Sequence, residues 1–129
     1  MPYNDLSNGM MFTGTYTVKE EWTATAMESG ETDVLSTTAL ILTIEKLAFS
    51  SLMPHIEKGY TTVGTKVHLT HLYPINKGET FRIELLLSKI SDSKIEFSIT
   101  AKHQSKVIAL GIHKRRIVNT SDFLSRTSL

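Results

Sequence analysis

Three side chains in this sequence carry the chemistry to move a proton, namely Thr37, Glu45 and His71. An imidazole suits acid–base work near neutral pH, a carboxylate stabilises its protonated form, and a hydroxyl supplies an oxygen that such a base activates. His71 ends the run Thr62-Val63-Gly64-Thr65-Lys66-Val67-His68-Leu69-Thr70-His71. Strand alternation places Val63, Val67, Leu69 and His71 on one face, and Gly64, Lys66, His68 and Thr70 on the other. A neutral imidazole on an apolar face is more often a hydrogen-bonded structural residue than a base, so parity alone does not assign His71. His68, beside Lys66, reads as solvated.

Glu45 shares a helical face with Ile41, Ala48, Phe49 and Leu52, where an unpaired carboxylate is costly. Its partner is either Lys46, an arginine of the sheet, or His71, whose charged form it would stabilise. Thr37 falls where the helix begins, so Thr37 or Ser36 caps the free backbone N–H groups. The same location puts a hydroxyl in the positive potential of a helix N-terminus, which favours a developing oxyanion or alkoxide. Gly64 interrupts a strand, where glycine marks a bulge or a place approached closely from outside. Arg115 lies on the strand face of Gly111 and His113, opposite Lys114 and Arg116, so this basic run divides between two surfaces. Such runs are commonly solvated, with phosphate recognition as the exception.

The elements that must position these groups follow from periodicity. A β-rich segment begins at Thr15-Tyr16-Thr17-Val18 and gives way to a polar stretch with turn character at Met27-Glu28-Ser29-Gly30-Glu31. From Ser36 to about Leu52 the residues Leu40, Ile44, Leu47, Ala48 and Ser51 recur at helical spacing. That helix is apolar nearly all round apart from Glu45 and Lys46, which predicts one wrapped by other structure. Four strands follow: Thr62 to Leu72, then faces formed by Phe81, Ile83, Leu85 and Leu87, by Ile95, Phe97, Ile99 and Ala101, and by Ile108, Leu110 and Ile112. Turns at Ser91-Asp92-Ser93 and Gln104-Ser105 make the last three an antiparallel meander. Thr120-Ser121-Asp122 reads as the cap of a short terminal helix. Strand, long helix, four strands and short helix predict an α+β chain in which a curved antiparallel sheet wraps the helix.

With 129 residues and 40% hydrophobic composition, one domain over 1–129 is expected. A net charge of +1 provides no global field toward nucleic acid or an anionic membrane. No cysteine is present, which removes thiolate chemistry and fits a reducing compartment. Neither a secretory leader nor a long uncharged apolar span is apparent, so a cytoplasmic protein is expected.

Taken together, these residues resemble the fluoroacetyl-coenzyme A thioesterase-like family of hotdog proteins. The likeness rests on Val34-Leu35-Ser36-Thr37, on Glu45, and on Thr61 through Pro74 with Gly78-Glu79, and runs from about Thr15 to Phe123. Thr38 departs from it, standing where members usually carry proline. The resemblance implies Thr37, Glu45 and His71 as catalytic groups, Gly64 lining the acyl pocket, and Arg115 near the same site. It also implies an acyl-coenzyme A substrate, a homodimer with sites at its interface, and no metal or cofactor beyond the coenzyme A of the substrate. Non-catalytic acyl-coenzyme A binding and enoyl-coenzyme A hydration remain alternatives on the same fold. Geometry adds a constraint, since eight residues of α-helix rise about 12 Å, too far for Thr37 and Glu45 to meet around one carbonyl. Either Thr37 precedes the helix and folds back, or two subunits share the site.

Overall fold

Alternating apolar residues in the second half of the chain build one twisted sheet, and the helix before them supplies the surface it wraps. The computed structural model describes residues 2–126; Met1 and residues 127–129, the outermost ends of the expected domain, lie outside the described residues. The elements are β1 (Met11–Thr17), α1 (Thr37–Leu52), β2 (Tyr60–His71), β3 (Thr80–Ser91), β4 (Lys94–His103), β5 (Lys106–Asn119) and α2 (Thr120–Ser125). The strands form a five-stranded sheet in the order β1-β3-β4-β5-β2, antiparallel at every pairing. Two-residue turns join β3 to β4 and β4 to β5. Asp92 and Gln104 take φ values of 55° and 57° there, the left-handed conformation that lets a tight hairpin close.

Leu40, Ile44, Ala48 and Leu52 of α1 are fully buried, as are Phe81, Ile83, Leu85, Phe97 and Ile99 of the sheet. Each of these leucine, isoleucine and phenylalanine side chains contributes about 1.5–3 kcal/mol by leaving water. Ser36 starts the helix as its N-cap, with Oγ accepting from the Ala39 N–H at 3.0 Å. Pro54, in the short 3-10 turn Met53–His55, turns the chain away at the other end.

Four expectations are corrected. The first strand is Met11–Thr17 and ends where it was expected to begin. Gly14 disguises it, because the Tyr16 ring folds back over the place a Cβ would take. On β5 Ile108 is buried as expected, but the other core residues are Ala109, His113, Arg115 and Ile117, while Leu110 is 47% exposed. Pairing of Ile99 with Gly111 and Phe97 with His113 fixes that parity. The helix is wrapped on one side only, leaving Leu42 and Phe49 at 49% and 42% exposure. Finally, α2 is capped by Asn119, whose Oδ1 accepts from the Asp122 N–H at 3.1 Å.

Strand β2 is held at the sheet margin by β5, and Gly111 leaves no room for a side chain between the two backbones. A Cβ there would press on the His68 carbonyl and lie 2.9 Å from the Leu69 Cα. Both are backbone atoms, which do not yield as a side-chain tip does. Gly111→Ala should therefore cost about 1–3 kcal/mol in chemical denaturation by pushing β2 off β5, and unchanged stability would contradict this packing.

Candidate active site

Because Ser36 caps α1, the hydroxyl of Thr37, the first residue of the helix, is not needed by the backbone. It lies 2.9 Å from His71 Nδ1 instead. His71 ends β2, so this contact ties the sheet margin to the start of the helix. Its ring is half-buried and its Nε2 is the one buried side-chain polar atom among the described residues without a hydrogen-bond partner. Leaving such an atom unpaired costs about 1–3 kcal/mol. Burial pushes the His71 pKa below the ordinary histidine value, with the Tyr73 backbone working in the opposite direction. The imidazole is thus neutral and able to accept a proton. Thr37 and His71 open onto a cleft of about 360 Å³ that Ser36, Thr38, Leu72 and Tyr73 also line.

Glu45 lies two turns along α1 and belongs to a different group. A β-bulge between Gly64 and Lys66 shifts the β2 register against β5, and the alternation read from sequence is corrected there. Thr62 and Gly64 before the bulge face the helix, as do Val67, Leu69 and His71 after it, because the extra residue absorbs one step of the pleat. Gly64 therefore shares the face of His71. A Cβ on Gly64 would lie 2.9 Å from Glu45 Oε2, 3.3 Å from Arg115 Nη1 and 3.5 Å from His113 Cε1. Carboxylate, guanidinium and imidazole surround a small hollow that only glycine leaves open.

Arg115 is 6% exposed and rigidly held. Its Nε donates to Thr62 Oγ1 at 3.0 Å, its Nη2 to the Thr62 carbonyl at 3.1 Å, and its Nη1 to His113 Nε2 at 3.2 Å. The Phe49 ring lies 5.9 Å from the guanidinium carbon. His113 is fully buried, and its Nδ1 donates to the Lys66 carbonyl at 2.9 Å. A carbonyl only accepts and a guanidinium only donates, so these two neighbours fix the neutral tautomer with its proton on Nδ1. Burial is the main cause that lowers the His113 pKa. The Lys66 bond opposes it, Arg115 adds to it, and Glu45 opposes it. Burial also lowers the Arg115 pKa, against the pull of Glu45.

The chain thus brings Thr37 to His71, and Glu45 to Gly64 and Arg115, as two separate groups. No hydrogen bond or ion pair joins Glu45 to His71 among the described residues. Thr37 is part of the helix, so of the two arrangements weighed from sequence the folded-back one does not occur. Sequence reasoning passed over His113 and Thr62. Their signal was register: His113 shares a strand face with Arg115 at i−2, and Thr62 precedes Gly64 by the same step.

Both buried histidines have folded pKa values below the unfolded value of about 6.5, so the native state binds fewer protons than the unfolded chain on acidification. Their contribution is complete above that pH and is lost as pH falls from it toward the lowered folded values. The melting temperature should hold steady from about pH 8 to 7 and decline from about pH 6.5 to 5, less steeply in His113→Gln. A melting temperature that rises over that acid range would contradict the neutral assignment.

The sequence matches the model of the family described as FlK, fluoroacetyl-CoA-specific thioesterase, over residues 18–121. No curated protein matches it. Among solved structures the chain is similar to the fluoroacetyl-CoA thioesterase FlK, with a TM-score of 0.89 at 18% identity, covering 97% of each chain. It is also similar to a hot-dog-like protein from Thermanaerovibrio acidaminovorans, with a TM-score of 0.85 at 21% identity, covering 93% of this chain and 89% of that one. A thioesterase superfamily member from Thermus thermophilus gives 0.87 at 18% identity, covering 96% and 92%. At such identities the likeness is one of fold, and it establishes the hotdog architecture. The family match spans most of the chain and both groups of polar residues, and on that ground the protein belongs to the fluoroacetyl-CoA-specific thioesterase family of thioester hydrolases.

Proposed function

We propose that this enzyme hydrolyses the thioester of a small acyl-coenzyme A at a site shared by two copies of the chain, with Thr37, Glu45 and His71 as its catalytic residues. The observation that carries the reading is the Thr37 hydroxyl 2.9 Å from a neutral His71, at the N-terminus of α1. In this scheme His71 Nδ1 takes the proton of the Thr37 hydroxyl, or of a water in its place, as the oxygen attacks the thioester carbonyl. First-turn N–H groups of α1 face the charge that develops on the carbonyl oxygen. The carbon–sulfur bond then breaks, and coenzyme A leaves as the thiol with the proton that His71 held. Where Thr37 is the nucleophile, a second water, activated by the same base, releases the acyl group.

Glu45 of the partner subunit completes the scheme by accepting a hydrogen bond from the Nε2–H of His71, the atom buried and unpaired within one chain, once dimer formation opens that side of the ring. Exposed apolar groups favour such pairing. Leu42 and Phe49 flank Glu45 on the bare side of α1, and Leu72 and Tyr73 follow His71. Strand β2 is also an outer strand of the sheet, with a free edge beside both groups. A two-fold dimer across that edge covers these surfaces and creates two equivalent sites. The hollow at Gly64 then receives the acyl group, with Arg115 as its polar wall. No step calls for a metal or cofactor, since coenzyme A enters as part of the substrate. The chain contains no cysteine, which suits a cytoplasmic setting.

Release of free thiol from a panel of acyl-coenzyme A thioesters tests the reading. His71→Ala should lower kcat by a factor of about 10²–10⁴ with the fold intact, and undiminished turnover would remove His71 as base. Thr37→Ala should lose activity while keeping its melting temperature, because Ser36 does the capping; a marked loss of stability would mean that the hydroxyl is structural. Gly64→Ala should stay within about 1 kcal/mol of the parent in stability, the Glu45 tip being free to shift, and yet lose turnover by filling the hollow. Full turnover in that variant would place the acyl group elsewhere. Hydration of enoyl thioesters with the thioester left intact would replace the hydrolase reading altogether.

A further inference from the structure

One cleft, of about 460 Å³, opens mainly on the face of the sheet turned away from α1, and the proposed chemistry uses only Arg115 of its lining. Lys89, Lys94, Lys114 and Arg116 line it together with Thr65 and Arg115, and Glu96 is its only acidic group. The register makes this concentration costly. Lys94 is directly opposite Arg116 on the β4–β5 ladder, and Lys66 is directly opposite Lys114 on the β2–β5 ladder. Like charges in directly opposed positions destabilise a sheet. Glu96 reaches Lys114 at 3.5 Å, and among the described residues no ion pair reaches Lys66, Lys89, Lys94 or Arg116. The other end of the same face is built differently, with Glu84 between Arg82 at 3.4 Å and Lys102 at 3.2 Å. In a chain of net charge +1, three lining cations without ion-pair partners, Lys89, Lys94 and Arg116, with Lys66 on the ladder beside them, form a local field that calls for a multiply charged anion.

We propose that this cleft binds the phosphate groups at the nucleotide end of coenzyme A, an inference that rests on the acyl-coenzyme A reading above. Lysine and arginine side chains on a rigid sheet offer charge-assisted donors to phosphate oxygens, and the volume falls within the ordinary range of about 300–1,000 Å³ for a small-ligand site. Thr65 lines the cleft and follows Gly64 in the bulge, so the cleft begins one residue from the acyl hollow. The long flexible pantetheine arm is the part of the substrate that would join the two. If the phosphates are held equally in the ground and transition states, this binding lowers KM and leaves kcat unchanged.

Calorimetric titration of the full chain with coenzyme A, with pantetheine and with adenosine 3′,5′-bisphosphate tests this without requiring turnover. Coenzyme A should bind about tenfold or more tighter than pantetheine, and the advantage should shrink with added salt. It should vanish in Lys94→Glu and in Arg116→Glu, which should also lose the bisphosphate. Each variant turns a repulsive cross-strand pair into an attractive one, so each should melt at or above the parent temperature, which separates lost binding from lost folding. The same contrast is read in kinetics, as a ratio of kcat/KM for an acyl-coenzyme A over the matching acyl-pantetheine that collapses through KM. Equal affinity for coenzyme A and pantetheine, or an advantage insensitive to charge reversal, overturns the proposal while leaving thioester hydrolysis standing. Bisphosphate binding lost on charge reversal with the coenzyme A advantage unchanged also overturns it, since the cleft would then serve a free nucleotide. Charge-sensitive coenzyme A binding with no thioester cleaved supports the cleft and removes the hydrolase reading instead.

Discussion

Thr37 and Glu45 are eight residues apart on one continuous α-helix, and the rise of about 12 Å between them governs everything else at the site. A helix is too stiff to bring its first turn and its third to one small carbonyl. The chain answers by giving each end its own partners. The start of α1 holds a hydroxyl against His71, and its middle holds a carboxylate over Gly64, Arg115 and His113. Each group lacks what the other has: the first has a buried imidazole nitrogen without a partner, the second a carboxylate that makes no ion pair among the described residues. In the proposed dimer, two copies related by a two-fold axis would bring the halves together without bending the helix.

Local devices keep each half in place. Ser36 takes over the capping of α1 and leaves the Thr37 hydroxyl to meet His71, a division of labour between adjacent hydroxyls. The bulge at Gly64 turns that glycine toward the helix and presents the Lys66 carbonyl to His113. His113 then has a fixed tautomer, and with Thr62 it fixes Arg115. These polar side chains occupy core positions on β5 where an ordinary strand would carry valine or isoleucine. The sheet gives up apolar burial there to hold a guanidinium rigidly, a common exchange at functional sites.

Much of this was legible in the sequence. The long helix, the order of the later strands and both hairpin turns follow from apolar periodicity and turn chemistry, which are local properties. Glu45, His71 and Gly64 stood out because they interrupt otherwise apolar patterns, Thr37 because it falls at the helix start, and Arg115 because it splits from its basic neighbours by strand parity; the family resemblance supplied the roles expected of them. What escaped was set by pairing between strands. The bulge that reverses the facing of Gly64 has no signal in alternation, which assumes an unbroken pleat. The outward facing of Leu110 depends on register against β4, and β1 was hidden because Gly14 and Tyr16 pack on each other. Likewise, the bare side of α1 marked by Leu42 and Phe49 depends on which strands pack against the helix, and periodicity along one element does not contain that.

Subunit mixing tests the shared site most directly. His71→Ala and Glu45→Gln are each expected to be inactive as pure dimers, and random exchange between them makes about half of all dimers mixed. Each mixed dimer regains one site with every catalytic residue, so turnover should recover to about a quarter of the parent value. Mixed dimers confirmed by native mass spectrometry but no more active than either pure variant would contradict a site built from Thr37 and His71 of one subunit and Glu45 of the other.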